Sequence, residues 1–208
     1  MAREARQEQR AALKRRKREK EVREARARQK AKQVEEGGKK ILGKTPDLPV
    51  VDCVISKGWQ ERGLAHVLLA RRLPTGRLLA GGYYVDTLCV GLKNTAVLPN
   101  LDPDEYERTV KPNVFNDPVE FEPCEPSLAR AVVEGAIEFA ARFGFRPNKR
   151  WEESRRLLEG VEAAEGLTFG RAGKPCLVVR PGDTAAGPLA RLERTVGPGN
   201  YLVEKSPS

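Results

Sequence analysis

The stretch LAHVLLARRLPTGRLLAGGYYVDTLCVGLK, residues 64–93, decides the fold, because two long apolar runs flank a turn signal. The turn signal is PTGR at 74–77, and a proline closely followed by a glycine favours a tight chain reversal. Runs rich in Leu, Val and Tyr are typical of β-strands. We therefore predict an antiparallel hairpin with strands at 64–73 and 77–93.

The apolar segment VVDCVI, residues 50–55, predicts a third strand of the same antiparallel sheet. Gly81-Gly82 interrupts the strand at 77–93, and glycines inside a strand indicate a bulge or a close approach of another backbone. Residues 94–126 are dense in prolines and acids, so we expect a long and mostly irregular crossing there, with one helical turn at 103–109.

The segment PSLARAVVEGAIEFAARFGF, residues 126–145, predicts the clearest helix, with apolar residues recurring at helical spacing and a proline in its first turn. Asn148 is placed to cap a second helix that ends at Gly160. Further along the chain we predict a hairpin over 167–180, a short helix over 187–196 and a last strand over 200–204. Strands and helices cluster rather than alternate, which favours an α+β fold with an antiparallel sheet covered by two helices.

The net charge of the chain, +9, belongs entirely to its first 40 residues. Those residues hold 16 Lys/Arg and 7 Asp/Glu, whereas the remaining residues hold 22 of each. Residues 2–34 contain no Gly or Pro and many good helix formers, so they predict a long basic helix in front of the domain. We therefore divide the chain into a basic helical or disordered arm (1–36), a linker (37–49) and a single α+β domain (50–208).

Such a charge division favours an interaction arm for a polyanion, because each phosphate contact needs a cation but little fixed geometry. Five consecutive basic residues at 14–18 would surround a helix, which suits the enclosed grooves of folded RNA or a ribosome. The arm lacks the large apolar face of membrane-surface helices. The predicted nucleic-acid contacts are Arg10, Lys14, Arg15, Arg16, Lys17, Arg18, Lys20, Arg23, Arg26, Arg28, Lys30 and Lys32.

Two places in the domain extend this hypothesis as secondary contacts. Trp59 lies in a predicted turn, where an exposed ring would stack on a base and an inward ring would pack on the core. Arg146, Lys149 and Arg150 surround a predicted helix start, where the dipole also favours anions.

Three residues are the best candidates for catalysis, namely Asp86, Cys89 and the sole histidine, His66. Pairing across the PTGR turn should join residues whose numbers sum to about 151, so His66 would face Val85. That register leaves His66 and Cys89 roughly 13 Å apart along the ladder, too far for a thiol–imidazole pair. We therefore expect His66 to pack on the sheet or in the core and Asp86 to point outward.

No sequence motif for a cofactor or a metal is present. GRAGKP at 170–175 has neither the glycine spacing nor the Ser/Thr of a phosphate-binding loop. The four cysteines form no C-x-x-C pair and one histidine is too few for the usual zinc sites, so we expect buried free thiols, no bound metal and no cofactor.

The segments GGYYVDTLCVGLKN, VEGAIEFAARFGFRP and FGRAGKPCLVVRPGD together resemble a family of uncharacterised bacterial hypothetical proteins. The resemblance spans about residues 50–184 and leaves the basic arm outside. It implies a single domain over that span and implies no activity.

Three functional hypotheses remain open at the level of sequence. The first is an accessory protein whose arm docks on RNA or a ribonucleoprotein. The second is a small enzyme with a site between the sheet and residues 94–126, and the third is a protein-interaction module that uses residues 94–126. No run of 18 apolar residues and no signal-peptide pattern occurs, so we expect a cytoplasmic location without membrane contact. The absence of a catalytic motif favours a binding protein over an enzyme.

Overall fold

The computed structural model describes residues 45–115, 119–180 and 184–205, and its centre is a five-stranded antiparallel sheet. The strand order is β4-β3-β2-β1-β5. The predicted α+β class is confirmed by this sheet and its helices. The predicted basic helix lies outside the described residues. The strands of the sheet are β1 (Val50–Ser56), β2 (Leu64–Arg72), β3 (Leu78–Asp86), β4 (Gly91–Leu101) and β5 (Phe121–Pro123).

The helices are short except for two, which run over Pro126–Ala141 and Ala186–Val196. The predicted helix over 126–145 therefore ends four residues early, and the one predicted over 187–196 is confirmed. The predicted helix between Asn148 and Gly160 is only one α-helical turn, followed by a 3-10 turn at Arg155–Leu157. In chain order the α-helices are α1 (Trp59–Arg62), α2 (Pro103–Glu105), α3 (Lys111–Asn113), α4 (Pro126–Ala141), α5 (Trp151–Ser154) and α6 (Ala186–Val196).

The hairpin of β2 and β3 has the predicted partners but a different register. The ladder runs from Leu64 opposite Asp86 to Arg72 opposite Leu78, so paired numbers sum to 150 rather than 151. The loop is five residues long instead of the expected four, with the Leu73 N–H donating to the Arg77 carbonyl over 2.8 Å. His66 consequently pairs with Tyr84 and not with Val85.

The strand predicted over 77–93 is in fact two strands, β3 and β4, joined by a turn. Asp86 closes this turn, since its Oδ1 accepts hydrogen bonds from the backbone N–H groups of Leu88 and Cys89, both at 2.9 Å. Gly91 begins β4 with φ of 76°, a conformation that glycine adopts without strain. Apolar residues continue through the turn at Leu88, Cys89 and Val90, so the apolar composition did not reveal it.

One face of the sheet is covered by the residues that follow α4. The hydroxyl of Tyr83 on β3 donates to the Ser154 carbonyl of α5 over 2.8 Å, and both residues are buried. A Cβ at Gly81 would lie 2.7 Å from the Tyr83 hydroxyl and 3.0 Å from Leu157 Cδ2, so side chains rather than another backbone crowd this glycine. Arg71 of β2 is also buried and donates to the carbonyl oxygens of Leu157, Leu48, Pro46 and Glu159.

The opposite face is covered by the helical segment 103–113, where the sequence predicted one helical turn at 103–109. It consists of α2, a π-helical turn at Tyr106–Val110 and α3. Tyr106 is buried against Ala70, Leu78 and Ala80, and its hydroxyl donates to Asp52 Oδ2 over 2.7 Å. The predicted turn is confirmed, with Asp102 as its N-cap and Pro103 at its start. The proline- and acid-rich composition hid Tyr106 as the buried anchor and the continuation of the helical segment to Asn113.

The hairpin predicted over 167–180 is replaced by a parallel pair of strands, β6 (Cys176–Val179) and β7 (Leu202–Lys205), connected through α6. Only a single bridge between Arg171 and Lys174 remains of the predicted hairpin in the described ranges. The α6 residues Leu189 and Leu192 pack with Phe145, Leu177 and other residues of a second apolar cluster. β6 and β7 thereby form a small layer beside the main sheet.

Candidate anion-binding cleft

The predicted arm contacts all fall among residues 1–44, outside the described residues. They are Arg10, Lys14, Arg15, Arg16, Lys17, Arg18, Lys20, Arg23, Arg26, Arg28, Lys30 and Lys32. The contribution of the arm therefore stays a prediction, and the site described below belongs to the domain.

His66 lies on the sheet and packs among aromatic rings. Its imidazole stacks on Tyr84 with 4.7 Å between ring centroids and 16° between planes, and it meets Phe115 at the same centroid distance. Its backbone N–H donates to Ser56 Oγ over 3.1 Å. His66 therefore packs between Tyr84 of the sheet and Phe115, which follows α3.

Asp86 is buried, with 4% of its surface exposed, rather than directed outward as the sequence predicted. Burial raises the pKa of its carboxyl above the ordinary value, while the two turn N–H groups, Lys93 and Arg180 act in the opposite direction. The outward prediction failed because the strand ends here. The side chain turns back to satisfy the N–H groups of Leu88 and Cys89.

Cys89 is fully buried in the apolar cluster that contains Phe139 and Phe143. Burial raises the pKa of its thiol to about 12, so the reactive thiolate is scarce at neutral pH. The structure brings Cys89 and Asp86 together through a backbone hydrogen bond. It places His66 elsewhere, against Tyr84 and Phe115, so these three residues do not form a catalytic triad.

The residues predicted as secondary nucleic-acid contacts differ in exposure. Trp59 is buried at the start of α1, with 6% of its surface exposed, and offers no open ring face for stacking. Arg146, Lys149 and Arg150 are exposed. Arg150 Nε is 3.8 Å from a carboxylate oxygen of Glu153. The helix that follows them is one turn long, so it adds little dipole to this cluster.

A surface cavity of about 450 Å³ lies where α1 and the start of β2 meet β6 and β7. Among the described residues, four cationic and two anionic side chains contribute to its wall, together with two aliphatic residues. The lining residues are Glu61, Arg62, Leu64, Arg171, Val178, Arg180, Glu204 and Lys205.

Two of the guanidinium groups that line this cavity donate hydrogen bonds to backbone carbonyls of α1. Arg171 Nη2 donates to the Glu61 carbonyl over 3.2 Å, and Arg180 Nη2 donates to the Arg62 carbonyl over 3.4 Å. Arg171 Nε is also 3.6 Å from Glu204 Oε1, an ion pair in which both side chains are partly exposed. These contacts orient the arginines, and the charge of Arg171 is opposed by the Glu204 carboxylate.

A second cavity of about 210 Å³ shares Val178 with the first. Asp86 and Lys93 contribute to its wall, together with residues of β6 and the start of α6. A buried carboxyl with a raised pKa at the wall of a cavity is a frequent property of functional sites. We call the two cavities together the β6 cleft.

The β6 cleft has the chemistry of an anion-binding site, because its larger cavity carries two more cations than anions. Planar guanidinium groups bind carboxylate or phosphate oxygens through paired hydrogen bonds. Sequence reasoning missed Arg62, Arg171, Arg180 and Lys205, since each is an ordinary surface cation in its own segment. The available signal was that Arg62 and Arg180 adjoin predicted strands, where folding brings distant segments together.

In the described ranges, no group of three or more His, Cys, Asp or Glu side chains is arranged to hold a metal ion. No helix in the same ranges is long and apolar enough to cross a membrane. Comparison with protein-family models, with curated proteins and with solved structures finds no match to this chain.

Proposed function

We propose that this protein is a nucleic-acid-associated accessory protein whose residues 1–36 dock on RNA or on a ribosome or other ribonucleoprotein. The observation that carries the proposal is the charge division, since the first 40 residues hold the entire net charge of +9. Cations concentrated in one segment release counterions when they meet phosphates, which drives binding without base contacts. The β6 cleft supports the same proposal, because it offers the neutral domain a local cationic surface.

Co-sedimentation with ribosomes and filter binding to structured RNA, each over a range of salt concentrations, test this proposal. We expect the full chain to bind and residues 37–208 to lose most of the affinity. Replacing Lys14, Arg15, Arg16, Lys17 and Arg18 by Gln should lower the slope of log affinity against log salt by about 3 to 5.

The matched control replaces both Lys residues among these five by Arg, which keeps every charge and should leave the slope unchanged. Unchanged binding by residues 37–208 would show that the arm does not dock on RNA. A sequence-selective loss restricted to one RNA would instead indicate base recognition.

A second candidate function, binding or conversion of a small anionic molecule, is favoured by Asp86 and Lys93 at the wall of the β6 cleft. The enzyme site proposed here would lie beside β6, whereas the sequence favoured a site between the sheet and residues 94–126. Protein interaction through residues 94–126 stays a hypothesis, and within that segment residues 103–113 form a helical segment packed on the sheet.

Thermal unfolding with and without inorganic phosphate and nucleoside phosphates tests this second function. A stabilisation of the wild type that Arg180→Gln abolishes supports it, with the exposed Arg146→Gln as the control. The same small shift in all three proteins would be a general salt effect and would exclude a site in the cleft.

A further inference from the structure

Cys53 and Cys124 lie opposite each other on neighbouring strands. Val54 of β1 pairs with Pro123 of β5, so the next position along the ladder joins the two cysteines. The Cys124 N–H donates to the Cys53 carbonyl over 3.0 Å, and the two sulfur atoms are 3.5 Å apart. No local pattern indicated this contact, because 71 positions separate the two residues.

The spacing of the two strands suits a covalent bond between these sulfurs. Opposite residues in hydrogen-bonded positions of an antiparallel pair have Cα atoms about 5.5 Å apart, within the range of about 4.4–6.8 Å that disulfides span. The sulfurs are in contact and need to close by less than the width of an atom. Only side-chain rotation and a small movement of the edge strand β5 are required.

The two thiols differ in exposure and in acidity. Cys53 is buried, with 8% of its surface exposed, whereas Cys124 is half-buried at the edge of the sheet. The hydrogen bond with Cys53 lowers the pKa of Cys124 below the ordinary value. The same hydrogen bond, followed by burial, raises the pKa of Cys53. Cys124 is therefore the thiolate that meets an oxidant, and Cys53 is the thiol behind it.

We propose that Cys53 and Cys124 form a redox-active dithiol that closes reversibly to a disulfide in the presence of a peroxide. The Cys124 thiolate attacks one peroxide oxygen, the O–O bond breaks, and Cys124 becomes a sulfenic acid while hydroxide leaves. Cys53 then gives up its proton and attacks the Cys124 sulfur, and the sulfenic oxygen leaves as water. Two thiols and one hydrogen peroxide thus yield one disulfide and two waters, and a small-molecule dithiol reverses the change.

The other two cysteines provide an internal comparison. Cys89 and Cys176 are both fully buried, and burial raises the pKa of these thiols to about 12 and about 11. Neither presents a thiolate to a dissolved oxidant at neutral pH. Oxidation should therefore select Cys53 and Cys124 from four free thiols.

The experiment treats the folded, reduced full chain with hydrogen peroxide and determines its intact mass, its free thiols after denaturation and its peptide map without reductant. We expect the loss of two hydrogen atoms in mass, a fall from four thiols to two, and a linked peptide pair containing Cys53 and Cys124. Dithiothreitol should restore all four thiols. The linkage should also raise the midpoint of thermal unfolding, because it ties β5 to the centre of the chain.

Variants separate the roles of the two residues. Cys53→Ser should stop at a Cys124 sulfenic acid that dimedone traps, Cys124→Ser should form no internal disulfide, and Cys176→Ser should behave like the wild type. Should Cys53→Ser fail to fold, the wild-type peptide map and Cys124→Ser still decide the matter. A map that links Cys89 with Cys176, or four thiols that persist in folded protein while a small-molecule thiol is oxidised, would refute the proposal. This test is independent of RNA binding, so either proposal can fail alone.

Discussion

Arg71 shows how one buried cation organises distant segments. Its guanidinium, 2% exposed, donates to the carbonyls of Leu48 at 2.6 Å, Leu157 at 2.9 Å and Glu159 at 2.6 Å. Desolvation lowers its pKa, and the carbonyl oxygens take the place of the lost water. The planar fork of arginine reaches several acceptors at once, which a lysine ammonium does not.

We expect Arg71→Lys to destabilise the fold by about 3 kcal/mol, because hydrogen bonds to charged groups contribute about 1.5–3 kcal/mol each. Urea unfolding measures the change. The neighbouring Arg72 is exposed, so Arg72→Lys is the control and should stay within about 0.5 kcal/mol of the wild type. Equal effects of both variants would show that the carbonyl contacts contribute nothing.

Asp86 combines a structural role with a pH dependence. Because burial raises its folded-state pKa above the unfolded one, the folded state holds the proton more tightly. Ionisation of Asp86 therefore removes stability as the pH rises from about 4 through the folded pKa. Asp86→Asn keeps an oxygen that accepts from the turn but has no such ionisation.

The unfolding free energy of Asp86→Asn should therefore improve relative to the wild type as the pH rises above about 4. Asp86→Ala should instead be destabilised by about 2–4 kcal/mol, since two buried N–H groups lose their acceptor. Urea titrations of the three proteins between pH 4 and 8 measure both effects. If the wild type instead became more stable relative to Asp86→Asn as the pH rises, the folded-state pKa of Asp86 would not be raised.

Gly91 allows β4 and α4 to pack closely against each other. An added Cβ at this position would lie 2.8 Å from Ala140 Cβ and 3.0 Å from the Ala136 carbonyl oxygen, so the helix would have to move. Gly76 in the β2–β3 loop has a similar φ, 81° against 76°, but has nothing within 4 Å of such an atom. A comparison of the two glycines therefore distinguishes the cost of steric crowding from the cost of a left-handed backbone.

We expect Gly91→Ala to cost about 1–3 kcal/mol more than Gly76→Ala, because only the first variant adds overpacking to the cost of a left-handed backbone. Equilibrium unfolding in urea compares the two variants. Similar losses in both would mean that α4 moves away without resistance.

The secondary-structure elements differ in how well the local sequence predicted them. β1, β2 and α4 followed from local patterns, because each buries a regular apolar stripe within one segment. The turn after Asp86 and the continuation of the helical segment from 110 to 113 did not, since a side-chain cap and contacts with another element stabilise them. The pairing of β6 with β7 depends on a connection of more than twenty residues, about which local preferences say nothing.

The candidate site was even less predictable, since the β6 cleft draws its cations from separated parts of the chain. Asp86 was selected from the sequence, but its orientation depends on where the strand ends. The thiol pair of Cys53 and Cys124 likewise follows from the position of β5 beside β1, a pairing that the proline-rich segment before it concealed.

For the molecule as a whole, charge and packing are divided between different parts of the sequence. The described domain supplies the apolar core from residues whose charges balance, and the first 40 residues supply the net charge. Surface cations in the β6 cleft are a local exception to that balance. The proposed RNA contact and the proposed dithiol therefore occupy separate regions and are testable one at a time.

The strand order also has a consequence for the sequence of events in folding. β1 to β4 are neighbours both in the chain and in the sheet, so short loops connect the paired strands. β5 pairs with β1, from which β2, β3 and β4 separate it in the chain. Closing a long loop loses more entropy than closing a short one, so the four-strand meander should form the nucleus and β5 should dock late. Stopped-flow measurements on Phe121→Ala in β5 should then show faster unfolding with nearly unchanged refolding, whereas Ala80→Gly in β3 should slow refolding. A refolding rate that fell equally in both variants would place β5 in the nucleus, and the edge strand would then direct the fold rather than complete it.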